Sequence, residues 1–436
     1  MIHLYRVIAA AVVCSIPLAS ACNAGDVEES GDSGFNPSSG VQSELITGDL
    51  TQGAVYVQGD NAVGGNKVYA FARDSAGALT FVGAFPTGGN GSGLGWANEG
   101  VHAVLRDGDL LFVTNAGPSS LLDLHGSVSV FKITPSGLSL QEVKSSKGLQ
   151  PLTVARRGNL VVVVNNDNTL TSYKLSATNK LTQVSHLALN PSLIHGGLTA
   201  HPSDIVFNKE GTKLVIAERQ FPAALALPDQ AWFVDVADIN PVTGAVSNVV
   251  NNDVAALGGV GNLAAEPFGL AVGATGAIVV AHGRYEVPFG SYESTYTINA
   301  NNTLNRTSFV ASGGWDDCWS VIVDSNTPGQ QWYYEQSFFD SAIRVAPLTD
   351  TLGAFTLVGV SSASGLQVQS GTDIAATPTS PTEQTYLYAL NSTPALPDGQ
   401  DKIRGFRVNR DNGQLTPIGF YGAGILPQLS VGIAAR

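Results

Sequence analysis

The sequence predicts an all-β fold: a seven-bladed β-propeller with four-stranded blades, its ring closed by the C-terminal strand. Three observations carry this. A phrase made of an apolar strand, a turn and a second apolar strand ending in a polar residue recurs along the chain. It reads VHAVLRDGDLLFVTN (101–115), LTVARRGNLVVVVNN (152–166), SDIVFNKEGTKLVIAE (203–218) and FGLAVGATGAIVVAHG (268–283), with looser copies at 319–335 and 372–391. Its spacing, roughly 50 residues, is that of propeller blades. Finally, one end of the chain lacks what the other end has in surplus: the first blade has no innermost strand, and LSVGIAA (429–435) has no blade.

The elements follow in order. Blade one offers AVYVQG (54–59), KVYAFAR (67–73) and LTFVGAF (79–85), separated by Asp60-Asn61, Gly64-Gly65 and the turn from Asp74 to Gly77. The alternation in KVYAFAR has period two, so one face is buried. Blade two starts at Val101 and adds 126–133 and 138–143; blade three starts at Leu152 and adds 170–175 and 181–187. Blade four starts near Asp204 and adds 231–236 and 245–250; blade five starts near Gly269 and adds 294–299 and 304–310. Blade six starts near Trp319 and adds 342–348 and 355–360, and blade seven starts near Asp373 and adds 402–408 and 415–421. Residues 429–435 then complete blade one, a closure that removes exposed sheet edges.

Composition narrows the class. Only 13% of the 436 residues are charged and 49 are glycine, which suits short strands and tight turns rather than surface helices. The net charge of −13, with no basic cluster, argues against nucleic acid and against non-specific binding to anionic lipid. Residues 1–21 read as an export signal: Arg6, an apolar run at 7–19 too short for a confident span, then Ala19-Ser20-Ala21. Cys22 follows directly and resembles the lipidated cysteine of a bacterial lipobox, with Leu18 one place early. Residues 22–50, acidic and rich in Gly, Ser and Asn, read as a disordered tether to a propeller spanning 51–436. The membrane is then reached only through that N-terminal lipid; plain secretion is the alternative. Four sequons, at Asn90, Asn301, Asn305 and Asn391, are at the level chance provides in such a chain. With Cys14 in the signal and Cys22 at the new terminus, Cys318 stands alone and forms no internal disulfide.

Propeller geometry also locates a site. Strands within a blade are antiparallel, so innermost-strand starts and second-strand ends share one face. The starts are His102, Asp204, Trp319 and Asp373; the ends are Asn115, Asn165, Glu218, Arg219, His282, Arg284, Glu335 and Asn391. Two long insertions, 219–231 and 282–294, overhang that face, and long loops on rigid scaffolds carry function. The asparagines suit backbone bonding at turns, and Asp204 and Asp373 suit bonds to neighbouring blades. Cys318, within WDDCW (315–319), suits a buried apolar position rather than a nucleophile. No GxSxG, HExxH, CxxC or EF-hand pattern is present, and the acids are too dispersed to argue a metal site from sequence.

The cadence of FVGAFPTGGNGSGLG (81–95), VHAVLRDGDLLFVTNAG (101–117), HPSDIVFNKEGTKLVIAE (201–218), EPFGLAVGATGAIVVA (266–281) and DCWSVIV (317–323) resembles the seven-bladed propeller lactonase family. That family includes 6-phosphogluconolactonase and the 3-carboxy-cis,cis-muconate lactonising enzymes. The resemblance spans nearly all of 54–435. It implies a small-molecule ligand such as a lactone or sugar acid, no cofactor and no metal, and catalysis by a histidine, a glutamate and arginines. His102 and Glu218 fall at matching positions. The arginine of the family's P-R-H phrase falls at Ser203, so Arg219 or Arg284 must supply that charge. The expectation is a monomeric, exported lactonase-like enzyme with His102, Glu218, Arg219 and Arg284 as catalytic residues. Asp204, His282, Trp319, Glu335 and Asp373 are then ligand-binding. The alternative is a non-catalytic surface propeller that binds a glycan, small ligand or protein through Trp315, Trp319, Trp332, Tyr333 and Tyr334.

Overall fold

The computed structural model describes residues 48–94, 101–120, 122–189, 200–220, 233–254, 266–284, 288–360, 371–392, 402–427 and 429–436. The expected signal, Cys22 and all but the last residues of the expected tether lie outside these, as do 221–232 and 285–287 of the two insertions. Among the described residues no helix is long and apolar enough to cross a membrane.

The strands form seven four-stranded antiparallel sheets. Blade two runs through Val104–Asp107, Leu110–Asn115, Ser127–Thr134 and Gly137–Ser145. Blades three to seven repeat this order, with innermost strands Pro151–Arg157, Ala200–Phe207, Glu266–Val272, Asp317–Asp324 and Gly371–Ala376. Blade one takes its innermost strand from the other end of the chain: Ser430–Ala435 pairs antiparallel with Ala54–Gly59. Arg436 N donates to Ala54 O at 2.8 Å and completes the closure.

Each blade interface has its own apolar cluster, because alternate residues of a strand face opposite neighbours. In blade four, Leu214 and Ile216 pack toward blade three, while Val215 and Ala217 pack toward blade five. The blade six–seven cluster contains Trp319, Tyr334, Leu387 and Phe406; among the described residues the one between blades five and six is the smallest, with six buried members.

The innermost strands share one irregularity. A register shift occurs near the start of those in blades three to seven, for example between Pro202 and Asp204 and between Gly371 and Asp373. A bulge inserts one residue and re-aims its neighbours. Blade two goes further. Its innermost strand begins at Val104 rather than at Val101, because His102 adopts a left-handed φ of 57° that regular pairing cannot accommodate.

Candidate functional site at the channel mouth

On the face defined by innermost-strand starts, the centre of the ring is filled. Val101, Phe268, Trp319 and Ile374, from blades two, five, six and seven, belong to one buried cluster. Val101 N donates to Ser203 O at 3.0 Å, and Ser203 Oγ donates to Phe268 O at 2.9 Å. The position expected to hold an arginine thus carries a fully buried hydroxyl spent on backbone carbonyls.

His102 follows Val101 and keeps 35% of its side chain exposed. Its Nδ1 lies 2.9 Å from Asp204 Oδ1. Asp204 is fully buried and also accepts from Ile205 N, Leu270 N (2.8 Å each) and Thr153 Oγ (3.3 Å). Those donors fix the carboxylate, which fixes the imidazole with Nδ1 as donor and leaves Nε2 for chemistry. Asp373, from blade seven, accepts from Ile374 N and Ile433 N at 2.8 Å each. Burial pulls the His102 pKa down, but the charge and hydrogen bond of Asp204, with the charge of Asp373, outweigh it and raise it to about 9. Burial pushes Asp373 up to about 7 against the charge of His102 and its two N–H donors. A non-glycine residue held at positive φ costs on the order of 1 kcal/mol, and such outliers cluster at functional sites.

Glu218 does not join this group. It is fully buried, on the side of its strand that faces blade three, and its partner is Asp235. Asp235 Oδ1 accepts from Asn251 Nδ2 at 2.7 Å. Burial raises both acids, Asp235 to about 7 and Glu218 well above its usual range, with the repulsion of Asp235 adding to the latter. Burial thus favours the protonated form of Glu218, and the side chain has no surface open to water, so the catalytic role expected of it is not available in this arrangement. Arg219, on the opposite side of the strand, is 7% exposed and places its guanidinium 4.7 Å from the Phe268 ring centre, at the channel plug. Arg284 is half-buried, its backbone N 3.2 Å from Ser291 Oγ.

The other expected ligand-binding residues are interior. Trp319 is 1% exposed and lies edge-on to Phe268, with ring centres 5.4 Å apart. His282 is 1% exposed and stacks on Tyr292. Glu335 is fully buried and pairs with Arg344 at 3.2 Å. Of the aromatics in the alternative reading, Tyr333, Tyr334 and Trp332 are buried, and their polar atoms donate to Glu293, Gly413 O and Arg410 O. They are blade core, because a side chain packed between two sheets cannot also face a ligand. Trp315 is half-buried and stacks on Phe339, beside Phe289, which is 53% exposed at φ 59°. Cys318 is buried and in no disulfide.

A cleft of about 490 Å³ opens on the opposite face, lined by loops of blades six and seven that include Asn326, Glu383, Arg407, Arg410 and Asp411. Its Arg410 is committed to the carbonyls of Asp324 and Ser380 at 2.8 Å each. Nothing there matches the His102–Asp204 arrangement.

Known proteins place the fold. It is that of the seven-bladed lactonase propellers. A solved Lactobacillus plantarum protein superposes with a TM-score of 0.60 at 13% identity, over 88% of this chain and 99% of its own. The periplasmic gluconolactonase of Pseudomonas aeruginosa gives 0.58 at 14% identity, over 87% and 99%. A candidate 6-phosphogluconolactonase from Bacteroides fragilis gives 0.58 at 13%, over 88% and 98%. No protein-family model matches the chain, and no curated protein matches its sequence. At such identities the likeness speaks for architecture, and chemistry must be argued from the site.

The shifted groups give stability a pH dependence of definite sign. Asp235 and Asp373 are raised from 3.8 to about 7, so their stabilising contribution is complete below about pH 4 and is lost as pH rises through 7. His102 is raised from 6.5 to about 9, so its contribution is lost as pH rises through 9. Solvent at the exposed ring reduces the His102 part. All three act in one direction. Unfolding free energy is expected to fall between about pH 5 and pH 9. Calorimetry across that range checks it; a midpoint that climbs from pH 5 to 8 would mean these groups titrate normally.

Proposed function

We propose that the protein is an exported lactonase-like enzyme that hydrolyses or forms a small lactone by metal-independent general acid–base catalysis at His102. The observation that carries this reading is the His102–Asp204 pair, a part-exposed imidazole locked by a buried carboxylate at the mouth of a plugged channel. A solved protein of the same architecture is a periplasmic gluconolactonase, which suits both the reaction class and the export expected from residues 1–21. Cys22 serves as the lipid anchor in this reading, and the chain works as a monomer on small molecules.

With a pKa of about 9, His102 is an imidazolium at neutral pH. It acts first as an acid. Water adds to the lactone carbonyl carbon, the bond from that carbon to the ring oxygen breaks, and the ring oxygen takes the Nε2 proton. The proton lost by the water restores His102. Arg219 and Arg284, on the same face, offset the negative charge that develops on the carbonyl oxygen. Lactone formation is the reverse. Because Ser203 stands where an anion-binding arginine is expected, and Asp204 and Asp373 flank His102, the favoured substrate is a neutral lactone rather than a phosphorylated or polycarboxylate one.

Purified protein assayed against neutral and anionic lactones tests this. Turnover of a neutral lactone is expected, level through neutral pH and declining above about pH 9. Absence of turnover on every lactone overturns the reading.

A further inference from the structure

The interface between blades five and six carries the least apolar packing of the seven and holds carboxylates in its place. Glu293 of blade five and Asp317 and Glu335 of blade six are each fully buried. Each brings one ligand oxygen to a place where all three lie within 4.8 Å of one another. The neighbouring cation is Arg344, which pairs with Glu335 at 3.2 Å but also with Asp340 at 2.6 Å. Four buried carboxylates thus share one guanidinium. Hydrogen bonds satisfy part of the group: Asp317 accepts from Ser337 Oγ at 2.5 Å and from Ser312 Oγ, and Glu293 Oε2 accepts from Tyr333 OH at 2.9 Å. Glu293 Oε1 is shielded from solvent and accepts from no donor among the described residues. An enclosed carboxylate oxygen without a donor is costly unless a cation meets it. The backbone is pressed close here: a Cβ on Gly314 would lie 1.7 Å from Asp317 Oδ1.

We propose that Glu293, Asp317 and Glu335 form a calcium site that fastens blade five to blade six. The donors are all oxygens, which selects a hard cation over zinc or copper. Calcium tolerates irregular oxygen cages at about 2.3–2.6 Å, whereas magnesium, at about 2.0–2.1 Å, demands near-ideal octahedral geometry and keeps several waters, which suits a dry carboxylate cluster less well. Ser312 and Ser337 hold the Asp317 carboxylate in its plane, as outer partners of metal ligands commonly do. The ion takes no part in the chemistry at His102, so this site and the lactonase reading stand or fall separately.

Chelator-treated full-length protein titrated with calcium, and separately with magnesium, tests the site by calorimetric binding and by thermal unfolding. The expected result is one calcium per chain and a midpoint raised on the order of 3–5 °C when calcium exceeds its Kd about 100-fold, with a smaller rise for magnesium. Glu293→Gln is expected to lose the calcium-dependent rise, while His102→Ala keeps it. No binding heat and no shift in the wild-type protein overturns the proposal, as does a rise of full size in Glu293→Gln; the three carboxyl groups are then held by shared protons. Should Glu293→Gln fail to fold, the wild-type titration decides alone.

Discussion

Replacing His102 by alanine is expected to lower kcat for lactone turnover about 10²–10⁴-fold, the range general acid–base groups supply. The argument is geometric before it is electrostatic. Among the expected catalytic residues, His102 combines exposed surface with a fixed orientation, its Nδ1 held by a buried carboxylate that three further donors immobilise. Asp204→Asn separates position from charge. It keeps the Oδ1 that accepts from Ile205 N but turns an NH2 toward Leu270 N, and it removes the charge that raises the imidazole pKa. The alkaline limb of the pH–rate profile should therefore move from about pH 9 toward the ordinary histidine range, with kcat reduced at pH 8 and less reduced at pH 6. A purely structural role for His102 would lower the melting midpoint and leave the profile in place. Turnover unchanged in His102→Ala would remove the proposed mechanism altogether.

A chain lacking residues 430–436 is expected not to reach a cooperative folded state. Val431, Ile433, Ala434 and Ala435 are all less than 9% exposed, and Ala54–Gly59 would become an open innermost edge. Burying Val431 and Ile433 alone contributes about 1.5–3 kcal/mol each. Removing them also uncovers Val55, Tyr56 and Val57 and takes from Asp373 the N–H of Ile433. The sum is comparable with the whole stability of a typical domain, about 5–15 kcal/mol. Near-UV circular dichroism and calorimetry on the soluble fraction decide the matter. A truncated chain that unfolds cooperatively within a few degrees of the full one would show that closure contributes little.

The architecture was legible because it is written many times. The period-two strands and the recurring phrase located each blade, and the surplus strand at 429–435 found its partner by elimination. Strand starts were less legible where bulges intervene, since a bulge leaves no mark on the hydrophobic alternation; Val101 therefore reads as strand although pairing begins at Val104. The shared face of His102, Asp204 and Asp373 followed from antiparallel order. Their partnership did not, because it depends on how the ring brings together the strand starts of blades two, four and seven. Glu218 read as a site residue from its place at a strand end. Its true environment depends on Asp235 in the next strand, and an acid there is a single polar break in an apolar stretch. Glu293 and Arg344 carry no signal in sequence for the same reason, and Asp317 shows only as part of WDDCW: residues far apart in sequence meet only at a blade interface.

The backbone at His102 bears on a difficulty common to ring-shaped repeats. Seven copies of one unit give a scaffold with no privileged position, whereas a reaction centre needs a single address. Symmetry must therefore be broken, and the break is best placed where the copies meet. At the equivalent place in blade one the left-handed backbone is taken by Gly432, at φ 74°, which has no side chain to offer. Blade two makes the same departure with a histidine. A histidine at that turn gives blade two a side chain that blade one cannot offer there, and so gives a nearly degenerate ring one marked position.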